Sequence, residues 1–214
     1  MPMGPPGESA ITGSHRCHDM KSPVSFFRRY AASDDARVAA ANLVGLVLAW
    51  NTPFYPLYLL GASGGTMRDG AWLTLCSFPV FLAVPAVTRW NGTWGRVLLV
   101  VAGTGNTVFC TWILGEASGT ALFFLPCITL AALVFRRGER VALFACLALP
   151  MLAGVALHGR YHESPFACAG TACGAIVWLN GVSVALLLAF LGLLATGLTE
   201  PAAINAGRVQ PRRP

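Results

Sequence analysis

Residues 115–140 read GEASGTALFFLPCITLAALVFRRGER. One carboxylate, Glu116, stands at the head, and Arg136, Arg137 and Arg140 stand at the end. No charge interrupts Ala117 to Phe135. An uncharged apolar run that stops at a basic cluster reads as a membrane span with its anchor on one side.

The rest of the chain agrees. Of 214 residues, 55% are hydrophobic and only 11% charged, and the mean hydropathy is +0.61. Soluble domains carry about 25% charged residues, and a soluble globule needs polar groups to cover its outside. The composition therefore excludes an ordinary soluble domain. A transmembrane barrel is excluded as well, because the apolar stretches are solid blocks without period-2 alternation.

Six such blocks are predicted as spans, at 37–60, 70–88, 95–114, 119–135, 141–157 and 171–197. The expected fold is all-α, a polytopic bundle of six transmembrane helices. Residues 1–35 form a polar N-terminal tail without the apolar core of a signal peptide, disordered except for an interfacial helix at 25–30. Residues 36–198 form the transmembrane domain, and 199–214 a short C-terminal tail.

Charge placement orients the bundle. With the N-terminus cytoplasmic, the inner segments hold Arg16, Lys21, Arg28, Arg29, Arg37, Arg89 and Arg96. They also hold Arg136, Arg137, Arg140, Arg208, Arg212 and Arg213, which makes 13 of the 15 basic residues. Only Arg68 and Arg160 fall outside. This asymmetry predicts both termini inside a plasma (inner) membrane. The net charge of +6 thus belongs to the bilayer, and no nucleic-acid partner is expected. Trp50, Trp90, Trp94 and Trp112 fall at predicted span ends or in loops, where indole favours the interface.

Several polar or helix-breaking residues lie within the spans. Pro53, Pro56, Pro79, Pro85, Pro126 and Pro150 each free a backbone carbonyl. Asn51, Asn106 and Asn180 carry amides that need partners in hydrocarbon. Such residues are either packing glue or the lining of a ligand cavity. Gly103, Asn106 or Thr107, and Cys110 share one face of the third span. Gly174, Trp178, Gly181 and Ala185 share a face of the sixth. These two small-residue faces are predicted to pack in the bundle interior. Glu116 is either a functional carboxylate or serves the exposed amides at the start of the fourth span.

The longest external loop, HGRYHESPFACAGTAC, begins at His158. Its Cys168 and Cys173 face an oxidising compartment in this topology, which makes a disulfide between them plausible. His158, His162 and Glu163 are read as loop polarity in preference to a metal site, and HRCH at 15–18 is too short and isolated for one. Cys76, Cys110, Cys127 and Cys146 fall in spans and behave as small apolar residues. The sequence contains no P-loop, no HExxH, no nucleophile elbow and no histidine deep in a span for haem. No enzymatic activity and no cofactor or metal is expected.

The stretch AGTGNTVFCTWILGEASGTALFFLPCITLAALVFRRGER resembles the six-helix membrane anchors of bacterial class III adenylate cyclases. Related modules precede diguanylate cyclases and histidine kinases. The positions that carry the resemblance are Asn106, Leu114, Gly115, Ser118, Gly119, Phe123, Phe124, Pro126, Phe135 and Arg136. NTPFYPLY in the first span and Asn180 in the sixth also match, so the resemblance covers about residues 26–199. It implies a dimerising input module whose last helix continues through a signalling helix into a catalytic domain. Here about fifteen residues follow Thr199, too few for such a domain. The expectation is a stand-alone or truncated sensor acting on a cytoplasmic signalling enzyme, with a small transporter or channel as the alternative. Asn51, Asn106, Glu116 and Asn180 are the candidate ligand or signal-transmission residues.

Overall fold

A computed structural model describes residues 27, 29–65, 68–161, 164–168 and 170–208, together with the first residue. Residues 1–30 and 31–214 form two units. In the first, residues 27, 29 and 30 are helical, and the rest of the expected interfacial helix lies outside the described residues. So do the HRCH segment, His162 and Glu163.

Every regular element among the described residues is helical. Helix α1 runs Ala36–Asn51 and α2 Tyr55–Ala62, with a 45° bend between them. Pro53 and Pro56 bracket the bend. Neither can donate to the helical ladder, which leaves the Ala49 and Thr52 carbonyls without their regular donors, and the Tyr55 amide reaches the Thr52 carbonyl at 3.3 Å. Helix α3, Arg68–Leu73, passes through a 3₁₀ turn at Thr74–Ser77 into α4, Phe78–Trp90. Helix α5 is Gly92–Leu114, and its first amides are capped by Asn91 Oδ1 at 2.9 and 3.1 Å. This is the expected role of a short polar side chain at a helix start. Two 3₁₀ turns, Glu116–Ser118 and Thr120–Phe123, lead into α6, Phe124–Val134. Gly115 and Gly119 flank the first turn with φ of 82° and 73°, a region glycine enters without steric cost. Helices α7, Arg140–Leu157, and α8, Gly170–Arg208, complete the chain.

Four helical stretches are long and apolar enough to cross a membrane: Asp69–Trp90, Gly92–Leu114, Arg140–Leu157 and Gly170–Leu198. Counted as one broken span, the bent α1–α2 pair would be a fifth. The fourth expected span is shorter. Thr120–Val134 has a helical length of roughly 22 Å, against a hydrocarbon core of about 30 Å. Its loss of length comes from the tight turns at 115–119, which hold its first residues against the end of α5.

The interior has two apolar clusters. One joins Val44, Phe81, Val84, Leu99, Val134 and Leu191. The other joins Leu59, Ala71, Ile113, Leu114 and Ile176, toward the opposite end of the bundle. Helix α8 meets the bundle through Ile176, Asn180, Val184 and Leu191, all buried. This corrects the small-residue face expected for the sixth span, whereas that of the third span is buried at Gly103, Thr107 and Cys110. Trp178 is 75% exposed, and a Cβ placed on Gly174 or Gly181 would meet nothing within 4 Å. The glycine face looks outward because the Asn180 amide finds its partners on the other side of the helix.

Candidate functional site

A cavity of about 100 Å³ lies between the two apolar clusters. The bend of α1 supplies Asn51, Thr52 and Tyr55 to its wall, α5 supplies Asn106, Thr107 and Cys110, and α6 supplies Pro126 and Cys127. Helix α8 contributes Leu187 and Leu191. Asn51 is the exposed member of this lining, so the cavity meets its surroundings at the bend. Two of the four sequence candidates, Asn51 and Asn106, therefore share one chamber.

Asn180 stands one contact away. The Tyr55 hydroxyl donates to Asn180 Oδ1 at 2.9 Å, and Asn180 Nδ2 donates to the Ser118 carbonyl at 2.9 Å. Asn180 is fully buried. Its amide thus joins the cavity wall, the 3₁₀ turn after α5 and the last helix. A chain of hydroxyls continues inward from that turn. Ser118 Oγ lies 2.9 Å from Thr120 Oγ1, Thr120 donates to Thr111 Oγ1 at 3.0 Å, and Thr111 donates to the Thr107 carbonyl at 2.7 Å. Satisfied polar networks of this kind hold a helix in one rotational setting.

Glu116 lies elsewhere. Its carboxylate accepts the Gly159 amide at 2.7 Å and stands 3.4 Å from His158 Nδ1. It pins the connection between α7 and α8 to the turn after α5. The same loop is held by the Phe166 amide on the Ile113 carbonyl, 3.1 Å, and the Cys168 amide on the Leu114 carbonyl, 3.3 Å. Cys168 and Cys173 are joined in a disulfide with Cα atoms 5.1 Å apart. Tyr161 in this loop has its pKa raised, first by burial and then by the Glu116 charge.

The opposite, arginine-rich end holds a cluster that sequence reading treated only as anchoring charge. Arg96 is 3% exposed. Its guanidinium forks onto Glu139, at 2.6 Å to Oε1 and 2.8 Å to Oε2, and donates to the Val134 carbonyl at 2.8 Å. It also lies over the Phe135 ring, 5.4 Å from its centroid. Arg37 donates to the carbonyls of Leu133 and Phe135, at 2.6 and 2.7 Å. Arg136 pairs with Asp35 at 2.9 Å. Two guanidiniums thereby occupy carbonyls at the end of α6, where the helix has no donors of its own. The Arg96 fork, helped by the Arg136 amide, outweighs burial and lowers the Glu139 pKa from 4.5 to about 2. Burial works to raise the pKa of Asp35, but the Arg37 amide and the Arg136 charge overcome it and leave that carboxyl lowered.

Tyr55, Arg96 and Glu139 were not singled out from sequence. Signals for them exist. Tyr55 sits between two prolines, and Glu139 is the one acid among the arginines of 136–140. Asn42 was also passed over. It accepts from Thr88 Oγ1 at 2.7 Å and ties α1 to α4. Among the described residues, no group of three or more His, Cys, Asp or Glu is placed to hold a metal.

No curated protein and no solved structure matches the chain. One family model does match, that of MASE7, over residues 27–190, which takes in α1 through most of the membrane-embedded part of α8. With more than half its length matched, the chain belongs to the MASE7 family, a family of membrane-associated sensor domains.

Proposed function

We propose that the chain is a multi-pass input module that passes the state of its cavity to the cytoplasm through α8. The observation that carries this reading is the Tyr55–Asn180 bond, which ties the cavity wall to the last helix inside the bundle. Helix α8 has 39 residues and so a length of about 58 Å, well beyond a bilayer core of about 30 Å. A rotation or shift of α8 at Asn180 would therefore be carried rigidly out of the membrane. Counting the bent α1–α2 pair and the short α6 as spans gives six crossings. In this reading both termini lie inside, which the arginine distribution supports.

In this reading the chain has no catalytic activity of its own. It works as a homodimer on a cytoplasmic signalling enzyme, and a nucleotide cyclase is the partner class that the adenylate cyclase resemblance favours. Signalling requires that a ligand bind two arrangements of the bundle with different affinity. A transporter or channel would need a continuous polar path. The apolar clusters on either side of the cavity weigh against one.

The test is a chimera of residues 1–199 joined through a signalling helix to a cyclase catalytic domain, assayed in membranes. Tyr55→Phe, Asn106→Ala and Glu116→Gln are compared with the parent at matched expression. Output that shifts with Tyr55→Phe or Asn106→Ala supports the input module. A well-folded bundle whose output ignores all three, beside substrate flux in liposomes, would replace it with the transport reading.

A further inference from the structure

We infer that the cavity takes a neutral, mainly apolar small molecule bearing a hydrogen-bond-accepting oxygen, of the ketone, alcohol or ester class. This rests on the reading of the cavity as the sensor's ligand site.

Among the described residues that line the cavity there is no Asp, Glu, Lys, Arg or His. A carboxylate or ammonium ligand would leave water with no countercharge to meet it, which is costly at membrane depth. The lining is nonetheless polar in a specific way. Every hydroxyl on it has its proton committed within the protein. Thr52, Thr74, Ser77 and Thr107 donate to the carbonyls of Leu48, Ala71, Thr74 and Gly103. Tyr55 donates to Asn180 and Thr120 to Thr111.

The amide donors that remain are those of Asn51 and Asn106. Asn106 Oδ1 faces the Cys110 thiol at 3.6 Å, whereas its Nδ2, like the side chain of Asn51, has no hydrogen-bond partner among the described residues. The half-buried Asn106 amide calls for an acceptor within the bundle, and the described residues supply none. An oxygen on the occupant would supply it. Cavities of about 150 Å³ hold benzene. A void of about 100 Å³ therefore suits a short oxygenated head, with any longer alkyl part leaving past Asn51.

The experiment uses the full chain in lipid nanodiscs with 2-pentanone, which has as many heavy atoms as benzene. Pentane, pentanoate and pentylammonium serve as comparisons. Cys110 and Cys127 line the cavity, and Cys76, exposed and outside the lining, is the internal reference. Modification by methyl methanethiosulfonate is followed residue by residue by mass spectrometry. The expected result is that 2-pentanone slows labelling of Cys110 and Cys127 but not Cys76. Its half-protecting concentration should be about three- to tenfold below that of pentane, the effect of one amide hydrogen bond. Asn106→Leu, or Asn51→Leu at the exposed mouth if the first variant folds poorly, should remove that margin.

If both thiols prove unreactive, the carbonyl stretch of ¹³C-labelled 2-pentanone reports instead. A band moved to lower wavenumber in chain-containing discs, and lost in the variants, supports the proposal. Its absence overturns it. Equal protection by pentane overturns the role of the amides, and protection by pentanoate or pentylammonium overturns the neutral class. Binding is read without signalling, so the two readings separate. Ketone-selective protection with a silent chimera sinks the sensor reading alone. A responsive chimera without ketone selectivity sinks the ligand class alone.

Discussion

The Tyr55 hydroxyl and the Asn180 amide are 125 residues apart in sequence and 2.9 Å apart in the bundle. One belongs to the proline-bracketed bend at the head of the chain, the other to the last helix. Tyr55→Phe removes one donor and should destabilise the bundle by about 1 kcal/mol. Asn180→Leu also strands the Ser118 carbonyl and should cost about 2–3 kcal/mol. A double-mutant cycle on unfolding in mild detergent should give a coupling of about 0.5–1.5 kcal/mol. Simple additivity would mean that the bond does not form.

Glu139 answers a nearly buried arginine. Glu139→Gln leaves Arg96 with a neutral partner and a buried charge, and such losses run to about 3–5 kcal/mol. Arg96→Lys should recover little, because an ammonium cannot fork onto both carboxylate oxygens. Thermal unfolding of the variants in nanodiscs measures both effects.

The same pair predicts an acid response. The folded-state pKa of Glu139 lies below its ordinary value, so its contribution is complete above about 4.5 and drains away as pH falls toward about 2. The parent should lose stability more steeply than Glu139→Gln across that window. Parallel curves would show that the Arg96 fork does not persist in the membrane.

Two glycines of α5 should respond in opposite ways to alanine. A Cβ on Gly95 would lie 2.7 Å from the Thr88 backbone nitrogen and 2.8 Å from its Cα. Because backbone cannot yield as a side chain does, Gly95→Ala should cost about 3 kcal/mol or prevent folding. A Cβ on Gly105 meets nothing within 4 Å, and Gly105→Ala should be neutral or stabilising by up to about 1 kcal/mol. Expression and melting temperature of the two variants decide it.

Glu116→Gln keeps the acceptor for the Gly159 amide and gives up only the contact with a mostly exposed His158. It should change the melting free energy by less than about 1 kcal/mol. A larger loss would mean that the carboxylate does more than fasten the loop.

The helical class and membrane character of this chain follow from residues near one another in sequence. The uncharged run at 117–135 and the arginines after it need no tertiary partner to be recognised, because transfer into hydrocarbon acts on each segment by itself. The bend of the first helix was foreshadowed in the same way by Pro53 and Pro56. Asn51 and Asn106 were legible as polar residues at membrane depth, though not as neighbours. The rotation of each helix about its axis was not legible. Gly174, Trp178, Gly181 and Ala185 form as regular a face as Ile176, Asn180 and Val184. The second is buried because Asn180 bonds Ser118 and Tyr55, 62 and 125 residues away. Arg96 looked like one more anchoring charge until Glu139 and the end of α6 closed around it. Apolar surface sets where a segment lies in the bilayer, whereas the partners of buried polar groups set which way it faces. Those partners come together only in the folded bundle.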